Sequence, residues 1–353
     1  MRCLKVRKVD GQVALNLLKK LGLIHPSFRI EQLGMYIIIP LKKPLNGVHR
    51  DVLIPELNFF EEVECEPKVM SRRQDPREIL LAAVPPDLSA YVPRSIDTIG
   101  HIAVVELPPK LMGCEAIGDA ILNTYKKVKT VLAKVGSTTG NYRLKDYKLL
   151  AGENKTETIY IEHKCRYMLD LRKVYFNPRL SFERGRVASQ VQSGEVIVDM
   201  FAGVGPFSIL IAKRQRGVKV YSIDTNPSAF TYLRENIFLN RVVGRVIPMQ
   251  GDARVLVESK LNGKADRVIM NLPTRSFEYL PSASKALKQS GGTIHFYCFA
   301  REPNPTAVAL KGLEDVTDEI QGKIVDVANI RYVRSIAPYL WMIGLDLRVR
   351  PQS

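Results

Sequence analysis

The last half of the chain alternates short apolar runs with amphipathic helical patterns. The apolar runs lie at 196–199, 218–223, 245–249, 267–270 and 293–298. This alternation predicts βαβ units and a largely parallel sheet. Two longer strand patterns follow, at 324–335 and 339–349, joined by the short turn Ala337-Pro338. Strands joined so closely pair antiparallel. The pattern therefore predicts a doubly wound α/β fold, Rossmann-like, that finishes with an antiparallel strand.

The first half of the chain predicts two smaller α/β domains. In the first, Asp10–Leu23 has helical periodicity and Tyr36–Leu41 reads as a strand. In the second, we expect one basic amphipathic helix over Glu115–Lys134. Strands are expected around it at Asp97–Leu107, Asn141–Leu150, Thr156–Glu162 and Leu169–Tyr175. We therefore divide the chain into domains at 1–66, 67–172 and 173–353.

A glycine turn follows the first strand of the large domain, in the stretch EVIVDMFAGVGPFSIL (195–210). Gly203 and Gly205 permit a tight approach of backbone to a ligand. The third glycine of the dinucleotide fingerprint is replaced by Ser208, so a pyrophosphate is not indicated. S-adenosyl-L-methionine, which presents cationic and amino groups, suits the acidic Asp199. We expect Asp199, Phe201, Gly203 and Gly205 to bind this cofactor; the alternative is an ordinary turn between strand and helix.

Polar residues end the next three strands, where ligands bind in such sheets. Asp224 can accept hydrogen bonds from ribose hydroxyls, and Asp252 from an adenine amino group. For each, a helix N-cap is the alternative role. Asn271 carries a donor and an acceptor at the fourth strand tip, and Pro273 fixes the backbone beside it. Sites shaped in this way methylate nitrogens of planar substrates, and Asn271 is expected at the cofactor as well.

One carboxylate lies among arginines at the start of a predicted helix. Glu183 is flanked by Arg179, Arg184 and Arg186 in YFNPRLSFERGRV (175–187). Either these charges balance one another at the helix N-terminus, or Glu183 is a general base and the arginines hold an RNA backbone. Arg143 by itself reads as a surface arginine.

The charge of the chain points to a polyanionic partner. The formal net charge is +16 and the pI about 9.6, which favours nucleic acid as the partner; the alternative is a merely basic soluble protein. The five cysteines have no paired spacing, so neither a metal site nor a disulfide is expected. The sequence shows no apolar signal core and no run long enough to span a membrane. These features predict a cytoplasmic protein.

Six sequence elements in fixed order resemble the archaeal and eukaryotic type of tRNA guanine-37 N1-methyltransferase. They are Asn141-Tyr142-Arg143, AGENKTETIY (151–160), FNPRLSFER (176–184), DMFAGVGPFSI (199–209), SIDTNP (222–227) and NLP (271–273). The resemblance covers about residues 67–350, and the first domain is similar to the small N-terminal domain of archaeal members. Where many methyltransferases that act on planar nitrogens carry Asn/Asp-Pro-Pro-aromatic, this chain has Asn-Leu-Pro-Thr.

The resemblance implies a mechanism and a partner. Glu183 matches the general base that removes the proton of guanine N1, and Arg143 matches the donor to O6. Asn271 and the backbone at Pro273 match the groups that hold the guanine edge, and Tyr175 would support the base or the cofactor by stacking. The arginines around Glu183 would hold neighbouring phosphates of tRNA, and the N-terminal domain would check the tRNA body. We expect a monomer.

Three alternatives remain open at this point. Related enzymes of the wyosine pathway transfer the aminocarboxypropyl group of the same cofactor to a modified guanosine 37, but they need no base for guanine N1. Some archaeal members of the family also methylate C7 of 4-demethylwyosine at that position, and the sequence elements do not separate these activities. The third alternative is a tRNA-binding protein without catalysis, which the complete set of base, donor and cofactor residues opposes.

Overall fold

The protein is described here by a computed structural model that forms two compact units, Met1–Asp75 and Pro76–Ser353. The described residues are 1–69, 75–140, 142–317, 320 and 323–351. Asn141, a residue of the predicted site motif, lies outside them. Within the described parts of the chain, no helix is long and apolar enough to cross a membrane. The division into three domains stays a prediction. The structure separates Met1–Asp75 from Pro76–Ser353, and the predicted boundary at 172/173 lies inside the second unit.

The first unit is a four-stranded antiparallel sheet with helices. Its elements are β1 (Arg2–Arg7), α1 (Gly11–Lys20), β2 (Glu31–Leu33), β3 (Tyr36–Pro40), α2 (Gly47–Leu53) and β4 (Phe60–Glu64). The strand order is β2-β3-β1-β4. The apolar face of α1, with Ala14 and Leu18 fully buried, packs with Leu4 and Ile39 of the sheet. The predicted helix and strand of this region are thus confirmed.

The cysteines of the first unit correct the sequence analysis. Strand β1 pairs antiparallel with β4, which places Cys3 opposite Val63 and close to Cys65. The two cysteines form a disulfide bond, although 62 positions separate them along the chain. The expectation of no disulfide was wrong because it rested on local spacing, whereas antiparallel pairing brings distant residues together.

The second unit begins with a four-stranded sheet and a hairpin. The sheet and its helices comprise α3 (Pro76–Ala83), β5 (Asp97–Ile99), β6 (Ile102–Val105), α4 (Glu115–Thr124), β7 (Thr130–Thr139) and β8 (Leu144–Gly152). The sheet order is β5-β6-β7-β8, and the hairpin is formed by β9 (Glu157–Glu162) and β10 (Cys165–Asp170). The predicted strand at Leu169–Tyr175 therefore lies earlier, because the chain turns after Asp170.

The predicted helix over Glu115–Lys134 ends ten residues early. Helix α4 stops at Thr124, and the chain then enters β7, which pairs parallel with β6. Val131 and Leu132 of β7 are fully buried, and β-branched residues at Thr130 and Val131 favour a strand. The lysines of this stretch were assigned to the helix by mistake: Lys126, Lys127 and Lys129 lie in the connection between α4 and β7, and Lys134 lies on β7. Lys134, for example, bonds Glu106 at 2.7 Å.

The remaining elements form the seven-stranded sheet that carries the site. They are α5 (Ser181–Gln190), β11 (Val196–Asp199), α6 (Pro206–Arg214), β12 (Lys219–Asp224), α7 (Pro227–Leu239), β13 (Val246–Gln250), α8 (Ala253–Leu256), β14 (Arg267–Met270), α9 (Ser276–Ala286), β15 (Gly292–Arg301), α10 (Pro305–Thr317), β16 (Lys323–Ala337) and β17 (Leu340–Pro351).

The sheet order β13-β12-β11-β14-β15-β17-β16 places the first strand of the domain near the middle. Strands β11 to β15 are parallel, and β17 is inserted antiparallel between β15 and β16. Apolar side chains cover both faces, with Ile197 on one side and Val198 on the other. The predicted fold class is confirmed. The carboxyl ends of β11, β12 and β14 consequently meet at one edge, where the chain reverses its order of winding.

Candidate active site

The glycine turn between β11 and α6 has left-handed backbone at two positions. Gly203 has φ 55° and Gly205 has φ 89°. A Cβ at Gly205 would lie 2.6 Å from Leu233 Cδ1, so a side chain there would collide with the core. A Cβ at Gly203 would find its nearest neighbour, the carbonyl oxygen of Tyr175, 3.9 Å away. Gly205 is thus needed for packing, and Gly203 leaves backbone open towards the strand ends.

Asp224 fixes this turn from the end of the neighbouring strand. Its Oδ2 accepts a hydrogen bond from Gly203 N at 2.7 Å, and its Oδ1 accepts one from Asn226 N at 2.8 Å. The N-cap of α7 is Asn226, which accepts from Ser228 N, so the alternative cap role does not fall to Asp224. Burial raises the pKa of Asp224. Each carboxylate oxygen retains a lone pair for a further donor, such as a ribose hydroxyl.

A cavity of about 500 Å³ opens at these strand ends. Seven of the predicted site residues line it: Arg143, Tyr175, Phe201, Gly203, Asp224, Asp252 and Asn271. Seven predicted residues are not among the described residues of its wall: Asp199, Gly205, Glu183, Pro273, Arg179, Arg184 and Arg186. The cavity therefore brings together groups from the turn between β7 and β8, the segment before α5, and the ends of β11 to β14.

Asp199 supports the turn from behind. It is fully buried, and its Oδ2 accepts a hydrogen bond from Ser208 Oγ of α6 at 2.6 Å. Burial raises its pKa to about 7. The side chain ties β11 to α6, and its expected contact with a cofactor stays a prediction. Its partner Ser208 is the residue that replaces the third glycine of the dinucleotide fingerprint.

Asp252 has the helix-capping role that the sequence left open, and its contact with adenine stays a prediction. It lines the cavity, and it caps α8 by accepting from Arg254 N at 2.8 Å. The Arg254 guanidinium also pairs with its carboxylate at 3.0 Å, and this interaction lowers the pKa of Asp252. An adenine amino group would therefore share Asp252 with Arg254. The guanidinium stacks on Tyr279 at 4.7 Å, an aromatic wall residue that the sequence analysis did not identify.

Arg143 stacks on Tyr175 at the mouth of the cavity. The centre of its guanidinium lies 4.7 Å from the ring centroid, and its own backbone has φ 55°. Lys145, which the sequence analysis missed, lies 5.8 Å above the same ring. Burial, with Lys134 nearby, lowers the pKa of Lys145 to about 8. Arg143 lies in the turn just before β8 and Lys145 is the second residue of β8. The nearness of a second cation to Arg143 in the sequence is the signal that could have identified Lys145.

Glu183 lies in a buried cluster of charges. Its Oε1 accepts from Tyr297 Oη at 2.6 Å, from Arg331 at 2.7 Å and from Arg186 at 2.8 Å. Asp346 closes the cluster by accepting from Arg186 at 2.7 Å and from Arg331 at 3.3 Å. Burial opposes ionisation of Glu183, but the hydrogen bonds from Arg186, Arg331 and Tyr297 outweigh it and lower its pKa to about 2. Glu183 is held ionised and is only 3% exposed.

The structure corrects two of the predicted phosphate contacts. Arg184 is 1% exposed, and its guanidinium holds both oxygens of Glu162, at 2.5 Å and 2.6 Å. Arg186 is committed to Glu183 and Asp346. Both predictions were wrong because the partners of these arginines are remote in sequence. Arg179 is different: it pairs with Asp97 at 2.6 Å, but its side chain is 42% exposed.

Three family models match the chain. The TRM5/TYW2 methyltransferase domain matches residues 158–325. The TYW2 N-terminal domain matches residues 76–156, and the tRNA methyltransferase 5 N-terminal domain matches residues 3–49.

Curated relatives resemble the chain over most of its length. It is 41% identical to the tRNA (guanine(37)-N(1))-methyltransferase Trm5b of Pyrococcus abyssi, over 98% of both chains. It is 37% identical to the tRNA 4-demethylwyosine(37)-methyltransferase Taw21 of Saccharolobus solfataricus, over 72% of this chain and 94% of that one. It is 34% identical to the tRNA(Phe) (4-demethylwyosine(37)-C(7)) aminocarboxypropyltransferase of Pyrococcus horikoshii, over 77% and 95%.

Solved structures show the same likeness. Trm5b from P. abyssi is similar with TM-score 0.70 and 40% identity, over 99% of both chains. A complex of aTrm5 with tRNALeu has TM-score 0.67 and 30% identity, over 99% of both chains. TYW2 of Methanocaldococcus jannaschii in complex with AdoMet has TM-score 0.56 and 27% identity, covering 73% of this chain and 100% of that one.

Proposed function

This chain belongs to the TRM5/TYW2 methyltransferase family, and we propose that it transfers a methyl group from S-adenosyl-L-methionine to N1 of guanosine 37 in the anticodon loop of tRNA. The observation that carries this proposal is the cavity at the strand ends, where Arg143, Tyr175, Asp224 and Asn271 converge. The likeness to Trm5b extends over 98% of the chain, including the N-terminal unit.

The residues at the glycine turn fit this cofactor. Gly203 offers backbone without a side chain, and Asp224 keeps acceptor capacity for ribose hydroxyls. Phe201 and Tyr279 form an edge-to-face pair at 4.9 Å, an apolar wall suited to the adenine ring, with Asp252 as acceptor for its amino group. When bound, S-adenosylmethionine supplies an electrophilic methyl group on its sulfonium. Asp199 acts indirectly by holding the turn through Ser208.

The guanine must lose the proton on N1 as the methyl group arrives. Asn271 lines the cavity and can hold the guanine edge, with the Pro273 backbone beside it. Arg143 would leave the Tyr175 ring to donate to O6, where negative charge develops. The target base must leave its stack in the anticodon loop to reach this pocket, which costs free energy. Tyr175 offers a ring on which the base can stack.

Glu183 is our candidate for the general base, and its surroundings constrain how it acts. While Arg186 and Arg331 hold its carboxylate, its pKa of about 2 makes it a weak base. The N1 proton becomes strongly acidic only as the new N–CH₃ bond forms, so proton removal must be concerted with methyl transfer. Because Glu183 is 3% exposed, its cluster with Arg186 and Arg331 must open towards the cavity when tRNA binds.

Cationic side chains near Tyr175 supply the contacts to RNA. Arg179 and Lys145 lie on this side of the molecule, and Arg334 is close enough to Arg179 and Tyr175 for its pKa to respond to both, after burial, which lowers it most. The carboxylates nearby, Asp97 and Glu106, already pair with Arg179 and Lys134. The excess of positive charge suits phosphates. With a net charge of +16, tRNA binding should weaken steeply with salt.

The wider assignment follows from the same substrate. The domains at 1–66 and 67–172 would bind the tRNA body and loop, and the domain at 173–353 would hold the cofactor. We also propose that the protein is a monomer and acts in the cytoplasm, where tRNA is modified. The Cys3–Cys65 disulfide is unusual for a reducing compartment, although some intracellular proteins of hyperthermophiles carry disulfides.

A second candidate function is favoured by two of the relatives. The likeness to Taw21 and to the aminocarboxypropyltransferase, at 37% and 34% identity, supports action on 4-demethylwyosine at position 37. Methylation of its C7 is compatible with the site. Neither C7 reaction gives Glu183 a proton of guanine N1 to remove, so Glu183 favours N1 methylation over methylation or aminocarboxypropyl transfer at C7.

Single-turnover transfer tests the proposal. Unmodified tRNA with G37, and the same tRNA with A37, would each be mixed with excess enzyme and methyl-labelled S-adenosylmethionine. We expect label in the G37 tRNA and none in the A37 tRNA. Equal labelling would contradict the position, and no labelling together with tight cofactor binding would favour the modified-base substrates or a binding protein.

A further inference from the structure

Tyr297 contacts Glu183 from the centre of β15. The residue is fully buried. Its hydroxyl donates to Glu183 Oε1 at 2.6 Å, a length typical of a strong hydrogen bond to a carboxylate. Strand β15 is central in the sheet, with β14 paired on one side and β17 on the other. The backbone that carries the tyrosine is therefore held in place.

The backbone of the same residue contacts the segment expected to hold the guanine. Its carbonyl oxygen accepts a hydrogen bond from Ser276 Oγ at the start of α9. Ser276 Oγ also lies 2.7 Å from the carbonyl oxygen of Leu272, the residue between Asn271 and Pro273. One residue thus joins Glu183 to the loop that follows β14.

Tyr297 differs from the other partners of Glu183 in carrying no charge. Arg186 reaches Glu183 from α5 and Arg331 from β16, with Asp346 of β17 and His295 of β15 behind them. Burial, together with Glu183, raises the pKa of Tyr297 well above its ordinary value, so the hydroxyl remains a donor. Arg186 and Arg331 must move before Glu183 can contact a substrate. Tyr297 is uncharged and, unlike the arginines, makes no ion pair with Asp346, so its hydroxyl can stay on Glu183.

We propose that Tyr297 is a positioning residue for the methyl transfer, which holds the Glu183 carboxylate and the Asn271–Thr274 segment in one fixed geometry. This inference rests on the proposed function. A reaction that needs the base and the guanine edge to be placed together is sensitive to displacements below 1 Å. Arg186 and Arg331 also donate to Oε2 of Glu183, at 3.0 Å and 3.1 Å. Once they move away, the Tyr297 hydroxyl would stay on Oε1 and leave Oε2 to take the proton.

Gly344 leaves the room that this arrangement needs. It lies opposite Tyr297 on β17. A Cβ there would lie 3.0 Å from Val333 Cγ2, 3.2 Å from Tyr297 Cε1 and 3.2 Å from Arg331 Nη2. Gly344→Ala would therefore displace the ring and the guanidinium slightly while removing no polar group.

The test begins with Tyr297→Phe, which removes only the hydroxyl. The matched control is Tyr232→Phe, because Tyr232 also donates to a carboxylate, Glu157, at 2.6 Å, and lies outside the cavity wall. At saturating tRNA and cofactor, we expect Tyr297→Phe to lower the single-turnover rate about tenfold or more. Dissociation constants for tRNA and cofactor should not change, and Tyr232→Phe should transfer at the wild-type rate.

A double-mutant cycle separates positioning from a general structural role. If Tyr297 acts through Glu183, adding Tyr297→Phe to Glu183→Gln should not slow the reaction further. The two effects would multiply if the tyrosine only supported the fold. Should Tyr297→Phe fold poorly, Gly344→Ala gives a second comparison that displaces both Tyr297 and Arg331. Its expected loss of rate also disappears in the Glu183→Gln background.

The outcomes distinguish this inference from the proposed function. If wild-type enzyme does not methylate G37, the proposed function fails and the inference falls with it. If wild-type enzyme methylates G37 but Tyr297→Phe and Gly344→Ala transfer as fast as Tyr232→Phe, the function stands and the positioning role is refuted. Effects that multiply with Glu183→Gln would also refute it.

Discussion

Replacing Glu183 by glutamine tests both the cluster and the reaction. The carboxylate accepts hydrogen bonds from Tyr297, Arg186 and Arg331, and its side chain is 4% exposed. Glutamine keeps the size of the side chain but removes its charge. It also turns an NH₂ group towards guanidinium donors, which cannot accept it. In this cluster, Asp346 would then be the only carboxylate that pairs with Arg186 and Arg331.

The expected loss of stability follows from the pKa. Lowering the pKa of Glu183 from 4.5 to about 2 corresponds to about 3 kcal/mol of native-state stabilisation of the carboxylate. The folded pKa lies below the unfolded one, so this stabilisation is fully present above pH 4.5 and is lost as the pH falls towards 2. Glu183→Gln should therefore lower the unfolding free energy by about 3 kcal/mol at neutral pH, and the difference should shrink below about pH 4.

Urea unfolding across this pH range measures the effect, and single-turnover transfer at a temperature where both proteins are folded measures the chemistry. We expect transfer to slow by ~100-fold or more while tRNA and cofactor affinity stay nearly intact. Glu258→Gln is the control, because its pair with Lys285 at 3.8 Å is exposed and should contribute less than about 1 kcal/mol. A stability loss equal to that of the control would contradict the cluster energetics. Unchanged transfer would remove Glu183 from the role of base.

Three further predictions concern neighbouring contacts. Asp224→Ala should weaken cofactor binding about tenfold or more in a calorimetric titration, because two backbone donors and the ribose lose their acceptor; unaltered affinity would discredit the ribose assignment. Arg143→Ala should slow single-turnover transfer by about 100-fold, roughly 3 kcal/mol, without changing cofactor affinity; a change confined to tRNA binding would make Arg143 a phosphate contact instead. Glu162→Gln should destabilise the protein by about 3 kcal/mol or more in urea, since it leaves the buried Arg184 unpaired; wild-type stability would show that Arg184 is free to serve RNA.

Local signals were sufficient to predict the large sheet and the cofactor edge. The runs ending at Asp199, Asp224 and Asn271 became β11, β12 and β14 because each apolar run is bounded by turn residues. Parallel pairing then brought their ends together, as the topology of such sheets requires. The family resemblance is confirmed by the relatives, and it supplied the reaction, which no single residue pattern does.

Contacts between distant segments could not be predicted. Arg186 lies beside Asp346, 160 positions away, and Arg184 beside Glu162, on the hairpin that precedes α5. From sequence alone, each arginine reads as a free cation near Glu183. The prediction of a helix over Glu115–Lys134 was wrong beyond Thr124 for a related reason. The lysines have helical spacing, but the pairing of β7 with β6 determines the backbone conformation there.

The identity of the transferred group and of its acceptor atom tests the central claim most directly. S-adenosylmethionine labelled separately in its methyl and aminocarboxypropyl groups would be incubated with the enzyme and unmodified G37 tRNA, and the product nucleoside identified by mass. The account predicts methyl label on N1 of guanosine and no aminocarboxypropyl label. Aminocarboxypropyl label, or methyl label found only with 4-demethylwyosine tRNA, would contradict it.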